Sequence, residues 1–247
     1  MFRTAAMMQP YLFPYLGYFQ LIAASDHFVL GDDLQYVKAS WINRNRILVS
    51  GQAALITFPL RKGAQSERIN QRWLCDGFEQ EANKILRTLT LAYGRAPYQA
   101  ETLPLITEIL LNPERNLARF IEHSIRRLCA HLQIETPISL GSEMGLPERM
   151  DKQERVVRIT QRLGAERYLN PIGGLDLYCP SYFDAHGLQL RFLRMDDLTY
   201  PQFGKPFVPA LSIIDVLMFN GRDATHALLG RHSLIEGRPQ ALTLQQA

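Results

Sequence analysis

The amino-acid sequence predicts an α/β fold, namely a Rossmann-like, mostly parallel sheet with a helical insert. A strand, a helix and a second strand follow one another within the first 30 residues, as in a βαβ unit. Amphipathic helical patterns fill the middle of the chain, and short apolar strands alternate with helical patterns after it. We therefore assign residues 1–75 and 134–247 to an α/β core and residues 76–133 to the helical insert of a single compact protein.

The first βαβ unit has the most regular pattern. Residues 4–8 (TAAMM) and 27–30 (HFVL) are short apolar segments that predict buried strands. Residues 15–24 between them have the length and apolar density of a buried helix, with Pro14 in its first turn. Two strands joined through a helix are expected to be parallel neighbours in one sheet.

The remaining elements follow from apolar spacing and from capping residues. Asn112 predicts the N-cap of a helix over residues 113–132, and Asp151 predicts the N-cap of a helix that ends at Gly164. The other predicted elements are strands at 54–60, 138–140, 168–170 and 188–193, a helix at 78–92 and a helix that begins at Ser212.

Composition excludes several classes of protein. Cys75, Cys129 and Cys179 are an odd number of cysteines without a CxxC pair, which argues against a disulfide framework and against a structural zinc site. We therefore expect a cytoplasmic location. No apolar run approaches the roughly 18 residues of a membrane helix, so we expect no membrane span.

The positive charge of the chain is concentrated in one segment. Residues 38–72 hold seven Lys and Arg against a single acid, an excess of six charges, whereas the whole chain carries only +3. A nucleic-acid-binding protein usually spreads its basic residues more widely, so we expect no nucleic-acid partner. The segment predicts either a local anion site or a solvated basic face.

The predicted sheet indicates where a ligand would bind. In open parallel sheets, ligands occupy the crevice beyond the carboxyl ends of the strands. This rule selects the loops at residues 9–14, 31–46 and 170–175. We expect these loops to converge on one side of the sheet and to hold the same small molecule.

The loop after the first strand offers Gln9 and Tyr11 as substrate contacts. The Gln9 amide is suited to a sugar hydroxyl or an amide, although it could instead cap the next helix. The Tyr11 ring has a flat apolar face and a polar hydroxyl, which suit stacking on a sugar ring or a base. A position in the core is the alternative for Tyr11.

Asp32 and Asp33 follow the second strand and are the predicted catalytic residues. Adjacent side chains diverge in an extended chain, so we do not expect them to act as a close acid pair. One of them, with Asp33 preferred, is the candidate general base toward a sugar amine or hydroxyl. The alternative is a polar start to the loop, and no second set of ligands predicts a metal here.

The string NRNR at residues 43–46 is predicted to bind substrate. In an extended chain Arg44 and Arg46 share one face, and Asn43 and Asn45 share the other. Guanidinium groups bind phosphates bidentately. With Lys38 nearby, the string predicts a site for the diphosphate of a nucleotide sugar or for a phosphopantetheine arm. A solvated surface is the competing interpretation.

Two further features complete the predicted site. Gly173 and Gly174 follow a strand, where backbone N–H groups can approach an anion, although two glycines also make an ordinary turn. Cys75 and Cys179 have no evident histidine partner, so we predict direct transfer with a carboxylate base in place of a covalent intermediate. The sequence identifies no cofactor.

Five blocks of the sequence resemble the WbqC-like family of bacterial proteins, and they occur in the order typical of that family. They span nearly the whole chain. The blocks are QPYLFPYLGYF (9–19), DHFVLGDDLQYVKASWINRNRI (26–47), AYGRAPY (92–98), LGAERYLNPIGG (163–174) and YPQFGKPFVPALSIIDVLMFNG (200–221).

The resemblance implies a role in surface-polysaccharide or glycolipid biosynthesis, as in O-antigen gene clusters. It also implies the attachment of an acyl or aminoacyl group to an amino sugar. With the NRNR string, this points to a nucleotide sugar or an acyl thioester as substrate. One alternative is a non-catalytic protein that binds a nucleotide sugar or a biosynthetic partner. Another is a relative of the HIGH-type nucleotidylyltransferases, whose first turn corresponds to residues 14–18, although both of their histidines are missing here.

Overall fold

The computed structural model describes residues 3–147, 149–204 and 206–237. The strands are β1 Thr4–Met8, β2 His27–Leu30, β3 Arg44–Val49, β4 Gln52–Thr57, β5 Ile138–Leu140, β6 Arg167–Pro171, β7 Gln189–Met195 and β8 His232–Glu236. The helices are α1 Leu16–Ala23, α2 Phe78–Ala92, α3 Gln99–Leu110, α4 Leu117–His131, α5 Lys152–Arg162, α6 Pro180–Asp184 and α7 Ile213–Leu228.

The main sheet has six strands in the order β5-β2-β1-β6-β7-β8. The first five are mutually parallel, and β8 runs antiparallel to β7. This architecture confirms the predicted α/β class, and the parallel pairing of β1 with β2 confirms the first βαβ unit. The strands β3 and β4 form a separate antiparallel hairpin.

The order of the strands reverses between β1 and β6. The chain moves outward from β1 to β2 and β5, and then returns to place β6 and β7 on the other side of β1. Such a switch point opens a crevice at the carboxyl ends of the two central strands. The loops after β1 and β6 therefore border the crevice.

Both faces of the sheet are covered by helices. Successive strand residues point to opposite faces, so Phe28 and Leu169 join one apolar cluster while Val29 and Tyr168 join another. The first cluster also contains residues of α1 to α4 and α7, and the second those of α5 and α6. The helices of residues 76–133 thus share the larger core, and the division into core and insert stays a prediction.

Two element boundaries differ from the prediction. Helix α4 begins at Leu117 and is capped by Asn116, whose Oδ1 accepts from the N–H of Arg119 at 3.2 Å. Asn112 instead accepts from the N–H of Glu114 within the preceding turn. The strand predicted at 54–60 runs from Gln52 to Thr57, because a two-residue turn at Ser50 and Gly51, both with positive φ, starts it earlier.

Gly221 interrupts α7, where the sequence Asn220-Gly221 resembles a helix end. Gly221 has φ 68° and ψ −175°, and the helix resumes after it. The ring of Tyr98 lies where a Cβ of residue 221 would be placed. No helix among the described residues is both long enough and apolar enough to cross a membrane.

We expect Gly221→Ala to lower the free energy of unfolding by about 2–3 kcal/mol, since the Cβ is strained by the backbone and overlaps the Tyr98 ring. Urea denaturation measures the loss. Gly230→Ala is the matched control, because a Cβ there meets nothing within 4 Å. Equal stability of the two variants would contradict the packing of Tyr98 against Gly221.

Candidate functional site

The carboxyl edge of the sheet brings together the loops selected from the sequence. The N–H of Gly31 donates to the carbonyl of Met8 at 2.8 Å, so the loops after β1 and β2 leave the sheet side by side. The loop after β6 leaves from the same edge, because β6 is parallel to β1. Gln9, Asp32 and Gly173 therefore follow the same ends of neighbouring strands.

Asp32 is buried, with 2% of its surface exposed. Its carboxylate accepts hydrogen bonds from the N–H and the hydroxyl of Ser142 at 2.9 and 2.7 Å, and from the Asn70 amide at 3.2 Å. These bonds join the ends of β2 and β5. Asp32 thus has a structural task at the edge of the sheet, and its catalytic role stays a prediction.

Asp33 forms a partly buried ion pair with Arg155 of α5. One guanidinium nitrogen lies 2.6 and 2.5 Å from the two carboxylate oxygens. A general base must offer a lone pair to a substrate proton, and each Asp33 oxygen keeps one besides the lone pair that accepts from Arg155. Asp32 and Asp33 turn to different partners, as their adjacency in the chain predicts.

The two predicted glycines differ in their surroundings. The side chain of Asn170 fills the space beside Gly174, where a Cβ would overlap its amide nitrogen. The packing of the Asn170 side chain therefore explains why residue 174 is a glycine. Gly173 is exposed, and a Cβ there would have no neighbour within 4 Å. Among the described residues, none would be displaced by a Cβ at position 173.

The loop after β1 lies between the core and the surface. Its Gln9 side chain is half-buried, and the Gln9 carbonyl accepts from the hydroxyl of Tyr18 at 2.9 Å. The half-buried Tyr11 ring lies 5.7 Å from the Tyr18 ring, measured between centroids. Burial raises the pKa of the Tyr11 hydroxyl, so this group is a neutral donor at ordinary pH.

Strand β3 presents two different faces. Asn43 and Asn45 are buried: Asn43 bonds the hydroxyl of Tyr36 at 2.9 Å, and Asn45 donates to the carbonyl of Phe13 at 2.7 Å. This confirms the alternation predicted for an extended NRNR string. The asparagines hold the loop after β1 against β3, and a role in substrate binding stays a prediction for both.

Arg44 and Arg46 lie on the opposite face of β3, and both approach the ring of Trp41, which is not among the predicted site residues. Their guanidinium carbons are 5.7 and 5.2 Å from the Trp41 ring centre. Arg44 donates to the carbonyl of Ala39, and Arg46 donates to that of Ala210 at 3.2 Å. Because arginine has several N–H donors, both retain donors for a ligand. Lys38 is exposed in the preceding turn.

Asp215, which lies outside the predicted site, forms a second polar cluster. Asp215 is fully buried in the first turn of α7. It accepts from the hydroxyls of Tyr93 at 2.8 Å and Tyr200 at 2.7 Å, and from the Gln202 amide at 2.9 Å. Burial raises the pKa of Asp215, while these hydrogen bonds lower it in part.

Hydrogen bonds connect the Asp215 cluster to β3 and to the loop after β1. The hydroxyl of Tyr93 accepts from the N–H of Leu48 at 2.9 Å. Ser212, the predicted and observed N-cap of α7, donates its hydroxyl to the carbonyl of Phe13 at 2.7 Å. Four of the five sequence blocks named above, 9–19, 26–47, 92–98 and 200–221, thus meet around β3 and the loop after β1.

A profile of the WbqC-like protein family matches residues 9–227. The chain belongs to this family. Among its relatives is the uncharacterized protein Rv1507c of Mycobacterium tuberculosis (strain ATCC 25618 / H37Rv), which is 30% identical over 225 residues, covering 90% of this chain and 96% of the relative. No solved structure gives a significant match.

Two surface depressions of this WbqC-like chain share no lining residue with the predicted site. One, of about 520 Å³, lies along α3 and is lined by Gln99 and Glu108 among others. The other, of about 340 Å³, is lined by residues that include Glu135, His226 and His232. Neither lies among the loops at the carboxyl ends of the strands.

Proposed function

We propose that this member of the WbqC-like family is a sugar-modifying enzyme of bacterial surface polysaccharide or glycolipid biosynthesis. Family membership supports the biosynthetic role. The observation that carries the proposal is the pair of guanidinium groups on Trp41, which retain N–H donors and lie on a strand bonded to the loop after β1. Such a pair suits the phosphates of a nucleotide sugar or of a phosphopantetheine arm.

In the proposed reaction, the nitrogen of an amino sugar attacks an acyl or aminoacyl carbonyl. A bond forms between nitrogen and carbonyl carbon, and the bond from that carbon to the thiol or phosphate leaving group breaks. Asp33 takes the proton from the nitrogen and passes it to the leaving group. Gln9, Tyr11 and Lys38 contact the substrate, and Gly173 leaves room for it.

A non-catalytic binding protein is the second candidate. The observation that favours it is the state of the two carboxylates, since Asp32 and Asp33 already accept hydrogen bonds with both oxygens. A binding protein needs no free base. Product formation separates the two candidates, because an acylated amino sugar has a higher mass than its precursor.

Cytoplasm is the compartment that we propose for either function. Cys75, Cys129 and Cys179 are all free thiols in the structure, as is usual in reducing compartments. The nucleotide-activated sugars that the site is proposed to bind are small anionic molecules. Their phosphates match the local excess of basic residues around β3.

We expect the double variant Arg44→Gln, Arg46→Gln to weaken the binding of a nucleotide sugar or of coenzyme A about 10- to 100-fold, through the loss of charge-assisted bonds to phosphate. Calorimetry against a panel of nucleotide sugars and coenzyme A measures the affinity. Arg87→Gln, exposed on α2, is the control. Affinity that the double substitution leaves unchanged would refute the phosphate site.

A further inference from the structure

The outer face of the β3–β4 hairpin is partly exposed, and the Arg46 side chain on it also reaches the carbonyl of Ala210. Arg44 lies opposite Thr57, and Arg46 lies opposite Leu55, on this face. Trp41, from the turn before β3, contacts both arginines. We call Trp41, Arg44, Arg46, Leu55 and Thr57 the hairpin face. Cross-strand neighbours have Cβ atoms about 5 Å apart, so the face is one continuous surface.

Two apolar residues of the hairpin face are exposed, and so is a third beside it. Leu55 is 56% exposed and Trp41 is 39% exposed, and Val37 in the adjoining turn is 52% exposed. On the inner side of the same hairpin, Ile47 and Ile56 are buried in the core. Apolar residues scattered singly on a surface are ordinary, but a contiguous group marks a contact surface.

The hairpin face is also cationic and lacks acidic residues of its own segment. No Asp or Glu occurs between residues 34 and 66. Arg44 and Arg46 donate to backbone carbonyls in place of carboxylates, so their charges are not neutralised by these contacts. Exposed Lys38 adds a third cation beside Val37. Arg61, by contrast, is paired with Asp76 at 2.7 Å.

We propose that the hairpin face docks on an anionic lipid surface, and that the sugar modified by this protein is carried there on a lipid phosphate. The statement about the sugar rests on the proposed function, whereas the statement about docking does not. Tryptophan prefers the boundary between headgroups and acyl chains, and lysine and arginine are attracted to anionic headgroups. Exposed Leu55 and Val37 gain from burial in that boundary.

The apolar side chains distinguish a lipid surface from other anionic partners. A phosphate backbone of nucleic acid would engage Arg44 and Arg46 but would leave Leu55 exposed. An acidic protein segment would also engage the arginines and leave Leu55 exposed, unless it carried apolar side chains of its own. A bilayer of anionic lipids supplies both the charge and the apolar layer within the few ångströms spanned by this face.

The test is flotation of the protein with phosphatidylglycerol-rich vesicles and with phosphatidylcholine vesicles. We expect binding to the former alone. Arg46→Gln should lower the partition coefficient about fivefold, and Leu55→Ser at least about threefold. Leu91→Ser on α2, where the leucine is 85% exposed, is the matched control and should change nothing.

Tryptophan fluorescence tests whether the hairpin face is the part of the protein that contacts the vesicle. The chain has two tryptophans, so Trp73→Phe leaves Trp41 as the only reporter. Brominated phosphatidylglycerol should then quench the emission of Trp41, and soluble polyglutamate should not compete with the vesicles. Absence of binding, equal binding to both lipids, unquenched emission or an equal loss in Leu91→Ser would each overturn the inference.

The two proposals fail in distinguishable ways. Leu55→Ser should leave the affinity for a soluble nucleotide sugar unchanged, because no phosphate contact is lost. If wild-type protein ignores the vesicles but binds the nucleotide sugar through Arg44 and Arg46, lipid docking is wrong and the proposed function stands. If it binds the vesicles but no phosphorylated sugar or acyl donor, docking stands and the proposed function is wrong.

Discussion

Asp33→Ala is expected to lower the free energy of unfolding by about 3–5 kcal/mol, because it leaves the Arg155 guanidinium without its anion in a partly buried position. The side chains of Asp33 and Arg155 are 15% and 9% exposed. Water therefore replaces the lost carboxylate poorly. Urea denaturation monitored by circular dichroism measures the loss, and Asp176→Ala, an exposed carboxylate, is the matched control.

A double-mutant cycle tests whether Arg155 is the partner on which Asp33 depends. Arg155→Met should also destabilise the protein, but the double variant should lose less than the sum of the two single losses, since no buried charge is left alone. Additive losses would show that Asp33 and Arg155 do not depend on each other. The ion pair would then not hold the loop after β2 against α5.

The same residue permits a test of catalysis. Asp33→Asn keeps an oxygen that can accept from Arg155, so its loss of stability should be smaller than that of Asp33→Ala. If Asp33 is the base, this variant folds and yet has no turnover. A folded Asp33→Asn protein with normal turnover would remove Asp33 from the proposed mechanism while leaving its structural role intact.

The sequence predicted the α/β core well because its signals are local. Strands β1 and β2 are apolar after their first residues, Thr4 and His27, and α1 between them begins two residues after Pro14. Strand β3 was not assigned as an element, because its first residues are polar and resemble a loop. Helix α3 was not predicted either, because Pro104 lies inside it.

The contacts of the candidate site are long-range, and that is why sequence patterns did not reveal them. Arg155 bonds Asp33 across 122 positions of the chain, and Tyr93 bonds Asp215 across the same number. No periodicity links residues so far apart. Trp41 is closer, two positions before Asn43, but only the turn into β3 shows that both arginines stack on its ring.

The Asp215 cluster is expected to make the other large contribution to stability. Asp215→Ala should lower the free energy of unfolding by about 3–5 kcal/mol, because Tyr93, Tyr200 and Gln202 lose their shared acceptor inside the protein. The Tyr93 hydroxyl also accepts from the N–H of Leu48, so the loss extends to β3. Urea denaturation measures the change, and a loss below about 1 kcal/mol would contradict a closed network.

The pH dependence of stability tests the same cluster without removing the side chain. Burial raises the pKa of Asp215 above its ordinary value, so the folded state binds the proton more tightly than the unfolded state. The stabilisation that this tighter binding gives is fully present below the pKa that Asp215 has in the unfolded state. It is lost as the pH rises through the folded pKa. The unfolding free energy of the wild type, measured relative to Asp215→Asn, should therefore fall across this window.

Tyr200→Phe reveals the cause of the shift. The Tyr200 hydroxyl lowers the pKa of Asp215 by donating to its carboxylate. Its removal should raise that pKa further and move the decline in stability to higher pH. A decline that stays in place would mean that Tyr200 does not bond Asp215 in solution. The segment after β7 would then be held against α7 by Gln202 and packing alone.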